Sequence, residues 1–327
     1  MAKILNMEKA FYQENPYLDF WKKDLDDTAI NKSVLNTLLD RNKVVNRILD
    51  IGTGSGVQIR RNIELGLLDN HGLIIGIDVN KEDLIRSLSS FEMWSKKHQF
   101  ELKRSNDSTA IHHFVLSKDN IRYTIMLYEE SVYDLGTSKS KIKGNFPLIT
   151  GLSLLEHTDM KRALLSIKKV MTKKGLLYLV INYDQHSVFG PTAIDKYGFE
   201  SNLMQLFNYA GIDFQFKGGV GVGNSHCGSL LPEFCKKAGY EVLAYGSSDW
   251  IILSGNVKDY SKYKKNVLEF FVNAFYNVLI NASNDTKKKF NVSDKQIEEW
   301  HNLRVKQLKS GKLYYSCIQK DILCIKE

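Results

Sequence analysis

The chain has 327 residues, 43% hydrophobic and 25% charged, with 4 prolines, 22 glycines and 11% aromatic residues. This apolar content suffices for one large core or two modest ones, and it excludes collagen-like, proline-rich and intrinsically disordered compositions. The longest apolar runs, such as Leu176–Ile181, fall far short of the roughly 20 residues that span a bilayer. Charge interrupts Met1–Lys9 too early for a signal-peptide hydrophobic region, so a cytoplasmic protein without membrane contact is expected. Of the net charge of +8, residues 256–327 carry +6, from 14 basic and 8 acidic residues, which leaves 31 against 29 elsewhere. Lys264-Lys265 and Lys287-Lys288-Lys289 alternate with acids and apolar residues as solvated helix faces do, which favours that reading over a polyanion site. Cys227, Cys235, Cys317 and Cys324 contain no C-x-x-C spacing and read as reduced packing residues, with no metal site.

Residues 1–44 read as helical, with apolar residues from Trp21 to Leu39 near helical spacing and a break at Asn15-Pro16. From Val44 onward strands alternate with helices. Val44–Asp50 is a strand that ends in the glycine loop Gly52-Thr53-Gly54-Ser55-Gly56, and Val57–Leu65 continues at helical spacing. Leu73–Asp78 is a second strand with a helix from Lys81 to Trp94, and Tyr123–Tyr128 is a third that runs into Glu129-Glu130-Ser131. Phe146–Leu152, the helix Met160–Met171 and the strand Leu176–Asn182 complete an alternation that predicts a mostly parallel, doubly wound sheet. Two stretches, at about 183–229 and 256–310, interrupt the pattern and read as insertions forming a substrate lid. The second holds the apolar helical run Val267–Phe275; between and after the insertions, Tyr240–Leu243, Trp250–Leu253 and Lys312–Ile325 read as strand material.

The glycine loop chooses between two cofactor classes. A dinucleotide fingerprint G-x-G-x-x-G needs a glycine where Val57 stands. The run Asp50-Ile51-Gly52-Thr53-Gly54-Ser55-Gly56 instead resembles motif I of class I S-adenosylmethionine-dependent methyltransferases of the small-molecule type. An acid beside the loop suits a cationic sulfonium and would repel a pyrophosphate. The segment Leu154-Leu155-Glu156-His157 after the fourth strand, and the Lys-Lys-Gly turn at 173–175, are also similar to that family.

The likeness covers about residues 44–182 well. It implies a Rossmann-like, mostly parallel seven-stranded sheet with an antiparallel final strand, closed by strands from Trp250–Leu253 and Tyr314–Ile325. It also implies an N-terminal helical cap over residues 1–43 and a methyltransferase domain over 44–327. The cofactor would lie on Asp50, Gly52, Thr53, Gly54, Gly56 and Gly151, with Asp78 on the ribose hydroxyls beside Val79. Glu130 or Ser131 would meet the adenine edge; the family often has aspartate where this chain has Ser131.

The acceptor is expected to be a small molecule methylated on O, N or C. No D/N-P-P-Y/F/W motif for adenine-N6 transfer is present, and no proline precedes a cysteine as cytosine-C5 transfer would require. Candidate substrate contacts are Tyr12, Tyr183, Asp184, His186 and Asn224. His157 and His226 are candidate general bases, each competing with a purely structural role. An RNA methyltransferase and a cofactor-binding protein without transfer activity stay open as alternatives, and a homodimer is compatible with this reading.

Overall fold

The computed structural model describes residues 25–41, 44–105, 109–181, 184, 186–191, 197–213, 225–254 and 261–327. Strand β1 (Val45–Ile51) carries apolar residues on both faces, and Ile48–Ile51 are fully buried. A strand hydrophobic on both sides needs cover on both sides, which is the condition of a parallel sheet wrapped by helices. The same holds for β7 (Met171–Ile181), buried without interruption from Gly175 to Ile181. Between them in the chain come β2 (Leu68–Asp78), β5 (Ile121–Glu129) and β6 (Phe146–Leu152). The pairs β1/β2, β2/β5, β1/β6 and β6/β7 are all parallel.

Among the described residues nine strands form this sheet, in the order β3 (Glu101–Arg104), β4 (His112–Lys118), β5, β2, β1, β6, β7, β12 (Lys320–Lys326) and β9 (Tyr240–Ser247). The chain moves outward from β1 through β2 to β5, then returns to place β6 on the other side of β1. The strand order therefore reverses at β1/β6, where doubly wound sheets leave a crevice at the carboxyl ends of the strands. Helices α1 (Lys32–Arg41), α2 (Val57–Glu64), α3 (Lys81–Lys97) and α4 (Met160–Lys169) belong to the same unit.

The observed sheet departs from the expected seven strands in two respects. Two further strands, β3 (Glu101–Arg104) and β4 (His112–Lys118), extend it antiparallel beyond β5. Only Phe114 and Leu116 of β4 turn inward and β3 is largely charged, so no hydrophobic run marked them; charged residues are what an edge strand carries to resist further pairing. Second, the antiparallel closing strands are β9 (Tyr240–Ser247) and β12 (Lys320–Lys326), with β12 antiparallel to both β7 and β9. Trp250–Leu253 (β10) does not close this sheet: it pairs with β11 (Tyr314–Cys317), which pairs with β8 (Ser187–Gly190), in a separate three-stranded sheet. Alternating hydrophobicity marks a strand without naming its partner.

By its contacts the chain divides into two units. The sheet unit comprises Ile30–Asn182, Gly228–Ser247 and Lys320–Glu327; the second unit comprises Met1–Ala29, Tyr183–Cys227 and Ser248–Gln319. Helix α1 belongs to the sheet unit because Asn31 ties its start to the closing strands. The Asn31 backbone N–H donates to Asp321 Oδ2 at 2.9 Å and its side-chain Nδ2 to the Ser247 carbonyl at 2.8 Å.

In the second unit the β10-β11-β8 sheet packs with α5 (Tyr197–Phe207), α7 (Ser261–Ile280) and α9 (Asp294–Lys309). Helix α6 (Cys227–Lys237), all but its first residue, belongs to the sheet unit; in the second unit the short α8 (Asn284–Lys289) joins α7 to α9. The core is aromatic: Phe189 meets Phe275 edge-on at 4.9 Å and Trp300 at 5.4 Å, and Phe207 stacks on Phe275 at 3.7 Å. A capping box between Ser293 and Gln296 fixes the start of α9. Lys287, read from the sequence as part of a solvated face, is buried; its ammonium donates to the Ile280 carbonyl at 2.6 Å and pairs with Asp294 at 2.6 Å. Its neighbours Lys288 and Lys289 are exposed. Among the described residues no helix is long and apolar enough to cross a membrane.

Candidate functional site

The loop after β1 turns on glycines held at positive φ: 67° at Gly52, 49° at Gly54 and 79° at Gly56. Side chains are strained in that region. A Cβ on Gly56 would also lie 2.5 Å from the Phe91 ring, whereas around Gly54 no described atom comes within 4 Å of where a Cβ would stand. Gly56 is thus fixed by packing, and Gly54 presents bare backbone to open space. Thr53 is buried and its N–H donates to the Ile77 carbonyl at 3.0 Å, pinning the loop over the end of β2.

Asp78 ends β2 and closes the loop. Its Oδ2 accepts the Gly54 N–H at 2.8 Å and its Oδ1 the Asn80 N–H at 2.8 Å. Burial raises its carboxyl above the usual range, and those two backbone donors oppose the rise. Val79 beside it is a large apolar side chain left 68% exposed. Asp50 lies fully buried under the loop, and burial pushes its carboxyl up to about 7. The Thr53 and Thr150 hydroxyls and the Arg61 charge draw it part of the way back, while Asp78 pushes it further up.

The β1/β6 register sets Asp50 opposite Thr150, whose Oγ1 donates to Asp50 Oδ1 at 2.8 Å. Behind it runs a buried relay. Asn62 Nδ2 donates to Thr150 Oγ1 at 3.0 Å, Gln58 Nε2 to Asn62 Oδ1 at 2.8 Å, and Arg61 Nη1 to Gln58 Oε1 at 2.7 Å. Thr150, Gln58, Arg61 and Asn62 were not singled out from the sequence. Their signal was there: polar residues at i, i+3 and i+4 on a helix whose every residue from Val57 to Ile63 is buried.

Gly151 is buried in β6 between Ile51 and Leu179. Glu130 and Ser131 are committed locally. Glu130 Oε1 accepts the Ser140 hydroxyl at 2.5 Å and its Oε2 the Lys141 N–H at 2.8 Å, while Ser131 Oγ accepts the Tyr133 N–H at 3.3 Å. After β6, Ser153 takes a φ of 56° and donates to Glu156 at 2.9 Å. In the turn that follows, Leu155 and Glu156 point inward and His157 is exposed. All the expected cofactor residues and His157 therefore belong to the sheet unit, gathered at strand ends on its carboxyl edge and in the loops that follow.

The second unit holds a cavity of about 500 Å³. His186 and His226 line it, both exposed, and so do the buried Phe189 and Trp300. Asp184 is buried, its N–H bonded to the Ile318 carbonyl at 3.0 Å, and is not among the lining residues. Glu200 and Arg304 also line the cavity, and the sequence reading did not select them. Tyr12, Tyr183 and Asn224 lie outside the described residues.

No protein-family model matches the sequence, and a comparison with curated proteins gives no match. Among solved structures the chain is similar to a proposed methyltransferase from Bacillus halodurans, at 13% identity and a TM-score of 0.46, over 90% of this chain and 99% of that one. It is also similar to the YcgJ protein of Bacillus subtilis, at 15% identity, a TM-score of 0.44 and 91% and 99% coverage. A third is the cyclopropane synthase MmaA2 of Mycobacterium tuberculosis, at 11% identity, a TM-score of 0.41 and 90% and 84% coverage. At these scores the likeness adds nothing to the fold that strand order and pairing establish.

Proposed function

We propose that this chain is an enzyme that transfers the methyl group of S-adenosylmethionine to O, N or C of a small-molecule acceptor. The observation that carries this reading is the left-handed glycine loop at the β1/β6 reversal, with buried Asp50 beneath it and Asp78 holding the Gly54 amide. The residues fit the cofactor. Gly54 offers backbone without an obstructing Cβ, Asp78 retains carboxylate lone pairs for ribose hydroxyls, and exposed Val79 supplies an apolar face for a base. Glu130 and Ser131 already bond within their own loop, so the adenine edge is better served by backbone near them.

When bound, S-adenosylmethionine supplies a methyl carbon made electrophilic by the sulfonium. The protein's part is to align the acceptor in line with the carbon–sulfur bond, to exclude water, and to remove a proton where the acceptor carries one. His226, lining the cavity of the second unit, is the residue we assign to that proton, with His186 beside the acceptor. The lid role of the second unit and the small-molecule class of the acceptor belong to the same proposal.

Calorimetry with S-adenosylmethionine, S-adenosylhomocysteine and NAD tests the cofactor: the first two should bind and raise the melting temperature by mass action, and NAD should do neither. With a labelled methyl group, His226→Ala should reduce transfer about 10- to 100-fold while cofactor affinity stays within about threefold. Binding of NAD in place of S-adenosylmethionine would overturn the assignment.

A further inference from the structure

Among the described residues of the second unit Arg304 is the most deeply buried charge, with none of its side chain exposed. Its Nη1 donates to the Pro191 carbonyl at 2.9 Å and to Gln307 Oε1 at 2.8 Å, and its Nη2 pairs with Glu200. Its Nε–H, also buried, has no partner among the described residues. Native structures leave few buried donors unsatisfied, and a guanidinium donor is among the costliest to leave so. This donor belongs to a residue that lines the cavity of about 500 Å³, a size that suits a small organic molecule. The lining also includes the apolar and aromatic Phe189, Leu203, Phe275 and Trp300, the last with its ring 5.9 Å from the Arg304 guanidinium. Glu200 is already engaged by Arg304, and the other charge-capable lining groups are the imidazoles of His186 and His226. The charges of Arg304 and Glu200 offset each other, and the group left over is a donor on a cation, which an anionic oxygen satisfies best.

We infer that this cavity binds an organic acid with a flat aromatic or alicyclic body, its carboxylate accepting the Arg304 Nε–H and its ring lying against Phe189 and Trp300. That this acid is the methyl acceptor rests on the methyl-transfer reading above; that it binds does not. A carboxylate oxygen makes a charge-assisted hydrogen bond with a guanidinium N–H, and the edge-to-face Phe189, Phe275 and Trp300 rings offer a surface suited to a planar body.

The test uses the full chain and three probes of one shape: 1-naphthoate, 1-naphthamide and 1-naphthylmethylammonium, titrated by calorimetry. Naphthoate should bind at least tenfold more tightly than the amide, and the ammonium more weakly still. Glu200→Gln, which keeps a hydrogen-bonding partner for Arg304 but removes the competing charge, should tighten naphthoate binding at least threefold. Ser201→Trp or Gln205→Trp, at exposed positions on the cavity lining, should abolish it. Equal binding of acid and amide, weaker binding in Glu200→Gln, or unchanged binding in both tryptophan variants would overturn the inference. S-adenosylmethionine binding, measured on the same variants, should match the wild type. Naphthoate binding without any S-adenosylmethionine binding would sink the methyl-transfer reading alone, and the reverse would sink only the acid site.

Discussion

The glycine-loop end of the sheet unit and the cavity of the second unit solve opposite problems with polar groups. At the loop, Asp50, Thr53 and Asp78 come from two strand ends and one turn, and much of the hydrogen bonding around them is supplied within the chain. In the cavity, Arg304 and Glu200 come from helices separated by 104 residues, and a buried donor is left over. Neither site is saturated, since the buried Asp50 Oδ2 also lacks a hydrogen-bond partner among the described residues. The difference is that backbone N–H groups hold Asp78 and the loop in shape before any ligand arrives, whereas the cavity's spare group is a cationic donor that gains a partner when a ligand enters. The first suits a cofactor common to many reactions, and the second suits the molecule that makes a reaction specific.

The largest effect that could break this contrast concerns the loop's rigidity. Gly56→Val forces a Cβ to 2.5 Å from Phe91 at a φ of 79°, so urea denaturation should show a loss of about 3 kcal/mol or more. Stability equal to the wild type would mean that the loop is not held in this conformation.

Next is Asp78→Ala. Losing charge-assisted bonds should weaken S-adenosylmethionine by about 2–3 kcal/mol in calorimetry, with naphthoate affinity unchanged. If both ligands weakened together, the two regions would not be separable as described.

Asp50 gives a smaller effect with a definite sign. Its folded carboxyl titrates near 7, against an ordinary value of 3.8, so between those values the folded chain holds the extra proton and stability falls as pH rises. Asp50→Asn should therefore be more stable than the wild type by about 1–3 kcal/mol at pH 8, with the gap closing toward pH 4. Relative to that variant, wild-type affinity for the cationic cofactor should grow from pH 6 to pH 8 as the carboxyl ionises. A gap that is constant with pH would place Asp50 in an ordinary solvated environment.

The smallest expected effect separates neighbouring lysines. Lys288→Glu, at an exposed position, should leave stability within about 0.5 kcal/mol and transfer unchanged. Lys287→Glu should destabilise measurably, because its ammonium is buried against the Ile280 carbonyl and Asp294. Loss of transfer in Lys288→Glu would point to a polyanion as substrate.

By itself the sequence determined the parallel core from Val45 to Ile181 and the loop at its switch point. Strands buried on both faces must be apolar throughout, and a left-handed turn between a strand and a helix demands glycine. Asp50 and Asp78 were legible because each stands at a strand end beside that turn. Only the tertiary structure decided which strands close which sheet. Trp250–Leu253 and Tyr240–Ser247 carry similar patterns and pair in different sheets. It also decided that Lys287 is buried while Lys288 is not, and that Arg304 meets Glu200 at a cavity. Those facts depend on contacts between segments far apart in the chain. A residue's identity fixes what it can bond, and burial with its long-range neighbours fixes what it does bond.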